Sequence, residues 1–179
     1  MQLLAPEKIF RGNGAWLKAL PYIKKLSRRP LILGRSLSTN NLRQQVYKDL
    51  HDENLSIHSS NLKFDCCYED IERIESFILK NNCDSIIAIG GGKVLDAGKF
   101  LADSLSIPVI TIPLSASTCA GWTALSNIYS TNGQFIKDIE LKSCPKILVL
   151  DHGFIQTAPK RTLASGIADA LAKWYESSL

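Results

Sequence analysis

The sequence predicts an α/β fold: a doubly wound, mostly parallel sheet with an inserted β-hairpin. Short runs of β-branched residues alternate with amphipathic helical patterns, and one run, SIIAI at 85–89, opens into three consecutive glycines. Strands buried on both faces of a parallel sheet read as continuous apolar runs, and their alternation with helices is the signature of βαβ units. A third observation, the Asn132-Gly133 pair between two strand-like runs, adds the antiparallel hairpin.

The elements follow in order. PLILG, 30–34, is an apolar strand ending in glycine, and Leu42, Val46 and Leu50 continue it as a helix. LSIHSS, 55–60, is a weaker strand. From Cys67 onward Ile71, Ile74, Phe77 and Ile78 recur at helical spacing, with Glu69, Asp70 and Glu72 at the positive end of the helix dipole. After SIIAI and the glycines, Val94, Leu95, Phe100 and Leu101 give the next helix, and IPVITIP, 107–113, the next buried strand. WTALSNIYSTNGQFIKDI, 122–139, holds the hairpin, KILVL, 146–150, returns as a strand, and the chain beyond Pro159 reads as helical.

At 179 residues and 45% hydrophobic content, the chain suffices for one packed domain, or for one domain and the beginning of a second. The net charge of +4 is thinly spread, and doublets such as Lys24-Lys25 and Arg28-Arg29 suit a solvated surface, so no nucleic-acid partner is expected. No apolar run approaches the ~18 residues of a membrane helix, and MQLLAPEKIF lacks a signal pattern, so the expectation is a cytoplasmic protein without a membrane partner. Cys66, Cys67, Cys83, Cys119 and Cys144 are odd in number and form no CxxC pair. They imply neither a disulfide framework nor a zinc knuckle, and most read as small buried thiols.

The stretch AIGGGKVLDAGKF, 88–100, carries the first chemical signal. Glycines after a buried strand and before a helix let backbone N–H groups approach an anion, and a phosphate is the expected ligand. A Walker A loop is excluded because Val94 follows Lys93 and Ile87 stands where its first glycine belongs; GxGxxG is excluded because Leu95 holds the third place. A tight strand-to-helix turn is the plainer alternative, although one glycine would serve it. Asp96 and Lys99 lie three apart, either as a surface pair or with Asp96 facing a ligand held at the loop. Asp169, between Ile167-Ala168 and Ala170-Leu171, must cap a helix, pair, or bind a metal; residue preference alone favours the cap.

GGGKVLDAGK, 90–99, resembles the GGGK-x-x-D-x-x-K signature of the glycerol dehydrogenase branch of the iron-containing alcohol dehydrogenase superfamily. APEKIFRGNGA, SASTCAGWTALSNIYSTNGQF, ILVLD and SGIADALAKWYE follow that family in the same order, so the resemblance spans essentially the whole chain. It implies a Rossmann-like nucleotide-binding domain over 1–158, then at 159–179 the first helix of a helical metal-binding domain otherwise absent. It also implies that Gly91, Gly92, Lys93 and Val94, with Leu95 and Asp96 nearby, hold the pyrophosphate of NAD or NADP. Further cofactor contacts carry over to Leu114, Ser115, Ala116, Ser117, Thr123, Leu125 and Tyr129, of which Leu125 and Tyr129 would otherwise read as packing.

The implied reaction is hydride transfer between a small alcohol or aldehyde and the nicotinamide ring, with a zinc or iron ion binding the substrate oxygen. Asp169, the acid of a GxxDAL motif, is implied as a metal ligand close to the substrate; the family's two histidine ligands have no counterpart in His51, His58 or His152. The expectation is therefore the cofactor-binding half of an enzyme that is a homo-oligomer when complete, inactive as this chain alone. Two residues depart from the pattern. Cys119 stands where glycerol dehydrogenases carry an aspartate for polyol hydroxyls, which disfavours glycerol itself. Arg35 follows the strand PLILG where users of NAD carry an acid, which favours NADP unless the arginine merely sits on a solvated loop. A cyclising carbon–oxygen lyase resembling dehydroquinate synthase and a non-catalytic nucleotide-binding module are the alternatives.

Overall fold

Six parallel strands form one sheet in the computed structural model of the chain, which describes residues 4–116 and 118–178. In chain order the elements are β1 (Lys8–Gly12), α1 (Ala15–Leu26), β2 (Pro30–Gly34), α2 (Asn40–Asp52), β3 (His58–Asn61), α3 (Tyr68–Lys80), β4 (Ser85–Gly90) and α4 (Gly92–Leu105). Then come β5 (Val109–Pro113), the hairpin of β6 (Leu125–Tyr129) and β7 (Phe135–Glu140), β8 (Ile147–Asp151), α5 (His152–Gln156) and α6 (Lys160–Glu176). The sheet order is β1-β8-β5-β4-β2-β3, and β6 and β7 pair by themselves.

That order locates a site before any side chain is considered. From β2 the chain steps outward to β3, then crosses back to β4 and continues through β5 and β8 on the other side. Winding therefore reverses between β2 and β4, and in open α/β sheets ligands lie outside the carboxyl ends of the strands at such a reversal. Arg35 follows β2 there, and Gly91 follows β4.

β4 is a strand because both of its faces need apolar cover. Ile86 and Ala88 pack into a core with Ile71, Ile74, Ile78 and Leu101 from α3 and α4, whereas Ile87 and Ile89 pack with Ile23, Val46 and Leu50 from α1 and α2. Each such isoleucine contributes about 1.5–3 kcal/mol of burial. α4 comes unusually close to β4: a Cβ at Gly98 would lie 2.5 Å from the Ala88 Cβ, so only glycine fits there.

β1 and α1 carry no clear sequence signal and are additions to the expected elements. β1 is a partly exposed edge strand, and α1 contains Pro21, yet Ala15, Trp16, Ala19 and Ile23 bury one face of that helix. Asp151 ties this beginning to the end of β8. Its carboxylate accepts the Trp16 backbone N–H at 2.9 Å and caps α5 through Gly153 N–H, also at 2.9 Å. Four of the five cysteines are buried, as expected, and Cys119 is exposed. Burial pushes the Cys66 thiol up to about 12, so it is inert. Among the described residues, no helix is long and apolar enough to cross a membrane.

α6 differs from the other long helices because none of its residues is buried. Leu163, Ile167, Leu171 and Trp174 recur on it at helical spacing and are all exposed.

Asp84, just before β4, links that strand to the end of α1. It accepts the Ser27 hydroxyl at 2.5 Å and the N–H groups of Arg28 and Arg29 at 2.8 and 3.0 Å. Burial alone would raise its pKa, but these hydrogen bonds and the Arg29 charge outweigh burial and hold it below the usual carboxylate value of 3.8. The lowered native pKa supplies stability that is present above the unfolded value and lost as pH falls through the native one. Asp84→Asn should therefore flatten the decline of the urea midpoint below about pH 4. A pH profile identical to that of the unaltered protein would rule this out.

Candidate functional site

The turn from β4 into α4 presents the first backbone N–H groups of the helix at the carboxyl end of the sheet. Gly91 is the residue before the helix and provides no side-chain cap, while its carbonyl accepts from Val94 and Leu95 N–H. The first N–H groups of the helix, those of Gly92 and Lys93, have no intrahelical acceptor, and the helix dipole adds partial positive charge at the same point. A Cβ at Gly91 would meet nothing within 4 Å, whereas one at Gly92 would come within 3.2 Å of the Thr118 Oγ1. The glycines thus have different reasons: Gly91 leaves the front of the turn open, and Gly92 lets the segment after β5 close against it.

Two clefts meet at this turn. The first, about 280 Å³, is lined by Arg35, Ser36, Thr39 and Ile89, then by Gly90 to Val94. The second, about 340 Å³, continues past Gly92 and Lys93 to Asp96, Thr118, Cys119, Ala120, Thr123, Leu125, Asn127 and Tyr129. Gly92 and Lys93 line both. A ligand bound across the turn would have one end between β2 and β4 and the other against the hairpin.

Lys93 is held between the two clefts. Its Nζ lies 2.5 Å from Asp65 Oδ2 and 4.6 Å from the centre of the Tyr129 ring. Asp65, in the β3–α3 connection, also lies 2.8 Å from Arg35 Nη1 through its other oxygen. One carboxylate therefore joins the cation after β2 to the cation of the glycine turn. Gly133, at the hairpin tip with φ +80°, leaves room above this pair: a Cβ there would stand 3.4 Å from Asp65 Oδ2. The Asn132-Gly133 turn forms as the sequence predicts.

The hairpin is anchored from beneath by Asp96 and Lys99, which form a buried pair and not a surface one. Their side chains are 6% and 1% exposed, and Nζ lies 3.1 Å from Asp96 Oδ1. Lys99 also donates to the Thr123 carbonyl and hydroxyl, both at 3.2 Å, and to the Leu125 carbonyl. Ser126 donates to the Asp96 carbonyl at 3.0 Å. Burial pushes the Asp96 pKa up and the Lys99 pKa down, and each charge opposes the shift of the other. The pair fixes Thr123 and Leu125 as the wall of the second cleft.

The structure brings most of the expected residues together. Arg35, Gly91, Gly92, Lys93 and Val94 line the first cleft, and Asp96, Cys119, Thr123, Leu125 and Tyr129 the second. Leu95 is buried in the core behind the turn, and Leu114 is buried with its N–H on the Gly90 carbonyl at 3.0 Å. Ser115 is half-buried and Ala116 exposed, and neither lines the two clefts; Ser117 lies outside the described residues. Asp169 sits in the middle of α6, so it is not the helix cap that residue preference favours. Its side chain is 61% exposed, 3.9 Å from Lys173 Nζ. Sequence reasoning missed Asp65, Ser36, Thr39, Thr118 and Asn127. Thr118 adjoins the expected 114–117 segment and could have been found; Asp65 is brought to the site only by the sheet order.

A family model described as iron-containing alcohol dehydrogenase matches residues 6–152. An uncharacterized oxidoreductase of Synechocystis sp. is 37% identical over 176 residues, covering 98% of this chain and 45% of that protein. A glycerol dehydrogenase of Escherichia coli O6:H1 is 34% identical over 173 residues, covering 97% of this chain and 47% of that protein. Among solved structures, a probable glycerol dehydrogenase from Sinorhizobium meliloti 1021 superposes with a TM-score of 0.85 at 27% identity, covering 98% of this chain and 48% of that one. The chain spans about half the length of the curated relatives it matches.

Proposed function

Because the chain belongs to the iron-containing alcohol dehydrogenase family, we propose that it is the cofactor-binding half of a metal-dependent alcohol or polyol oxidoreductase, and that the paired clefts hold NAD or NADP. The observation carrying this reading is the glycine turn at the winding reversal, where the N-terminus of α4 and Lys93 stand between two clefts that share it. Relatives named as glycerol dehydrogenases support the reaction class.

When bound, the dinucleotide would supply the hydride-accepting nicotinamide ring. The residues of this chain orient it. Gly92 and Lys93 N–H groups and the Lys93 ammonium suit a pyrophosphate. Arg35, 44% exposed beside the first cleft, suits a 2′-phosphate and favours NADP. Thr123 and Leu125, fixed by Lys99, and Tyr129, whose ring lies by the Lys93 ammonium, form the wall along which the far end of the cofactor would lie. Cys119 opens onto that cleft in place of the aspartate expected for polyol hydroxyls, which disfavours glycerol itself and favours a less hydroxylated alcohol or aldehyde.

The metal is a different matter. Among the described residues no group of three His, Cys, Asp or Glu side chains could hold one. Asp169 remains a proposed single ligand on a helix whose exposed Leu163, Ile167, Leu171 and Trp174 suit residues 159–179 as the start of a helical metal-binding domain. One carboxylate does not fit a catalytic metal, which generally takes three protein ligands. The purified chain should accordingly give no alcohol-dependent reduction of NAD or NADP in the presence of zinc or iron. Measurable turnover would overturn the proposal that this chain holds only the cofactor side of the active site.

A further inference from the structure

We propose that Asp65 is the positioning residue that sets cofactor selectivity, by restraining Arg35 and so limiting the preference for a 2′-phosphate. The inference rests on reading the clefts as a nicotinamide dinucleotide site. Asp65 lines neither cleft, but the two cations it contacts both do: Arg35 Nη1 at 2.8 Å and Lys93 Nζ at 2.5 Å. Its effect on a ligand must therefore pass through them.

The two contacts differ in kind. Lys93 donates a hydrogen bond to Oδ2, so that oxygen is satisfied. Oδ1 is buried and has no hydrogen-bond partner, although Arg35 stands within ion-pair distance. The guanidinium is thus held by charge, without an N–H aimed at the carboxylate. Among the described residues its planar fork of donors makes this ion pair and no further one, which leaves donors to grip a phosphate in two places. The carboxylate offsets the charge of Arg35 while leaving its hydrogen bonds to be made. With Asp65 in place the preference for the phosphorylated dinucleotide is slight; without it, the preference is strong.

Comparing NADP with NAD separates the two cations. Lys93 sits at the shared pyrophosphate position, so any change it undergoes cancels in the ratio of the two affinities. Arg35 does not cancel. Titration of the full 179-residue chain with NADP and with NAD should show the NADP:NAD affinity ratio rising about tenfold in Asp65→Asn, the scale of one charge a few ångströms away in a half-solvated cleft. Asp65→Glu should keep the original ratio, and in an Arg35→Gln background Asp65→Asn should move it by less than about threefold. Both dinucleotides binding with an unchanged ratio in Asp65→Asn would overturn the inference, as would an equal rise without Arg35. If Asp65→Asn does not fold, Asp65→Ser takes its place, with the same rise in the ratio expected and an unchanged ratio overturning the inference. Binding of neither dinucleotide by the unaltered chain would defeat the reading of the clefts, and the inference with it.

Discussion

Replacing Lys99 by methionine should destabilise the protein by about 3–5 kcal/mol, the cost of leaving a buried carboxylate without its partner. Asp96 is 6% exposed, and the ammonium 3.1 Å away is its neutralising charge. Lys99 also satisfies the carbonyls of Thr123 and Leu125, so its loss releases the hairpin as well as stranding Asp96. Adding Asp96→Asn to Lys99→Met should recover part of the loss, because the charge is then gone and only the hydrogen bonds to the hairpin remain missing. Urea unfolding of the three variants is the check. A Lys99→Met variant within about 1 kcal/mol of the unaltered protein would show that the pair carries no net load.

Gly91→Leu should do the opposite: abolish cofactor binding while leaving the fold in place. Gly91 has φ −82° and ψ −178°, an extended conformation open to any residue. Its Cβ position meets nothing within 4 Å, so a leucine there has only the cleft in front of the turn to occupy. The cost at this helix-capping position should be no more than about 1 kcal/mol. Filling the cleft should weaken dinucleotide binding by at least about 100-fold, or roughly 2.7 kcal/mol. The contrast with Gly98 is instructive. There a side chain would strike Ala88 and damage the fold, with no direct contact to a ligand.

The sequence and the structure agree where one physical pattern acts alone. SIIAI and VITI are strands because both faces are buried, and the helices carrying Ile71, Ile74 and Ile78, or Leu95 and Leu101, show their inward stripes directly. β1 and α1 were illegible because competing signals cancel. The strand is a half-exposed edge, and the helix buries Trp16 and Ile23 but contains Pro21, a residue that ordinarily argues against a helix interior. The glycine turn was legible as the junction of a buried strand and a helix, and its reading as a phosphate site rests on that local chemistry. Asp65 was not, because nothing in FDCC marks that acid; only the placement of β3 beside β2 brings it to Arg35 and Lys93. The burial of Lys99 was illegible for a related reason. A lysine three residues from an aspartate on a helix is ordinarily a solvated pair, and the hairpin that buries it arrives from residues 123–127.

Fluorescence titration of the purified chain with NADPH, with ADP as competitor and Gly91→Leu as control, reads whether the turn between β4 and α4 holds the proposed dinucleotide across both clefts. The expected result is saturable one-to-one binding that ADP displaces and the leucine abolishes. No saturable binding by the unaltered chain, or binding that Gly91→Leu leaves intact, would contradict it.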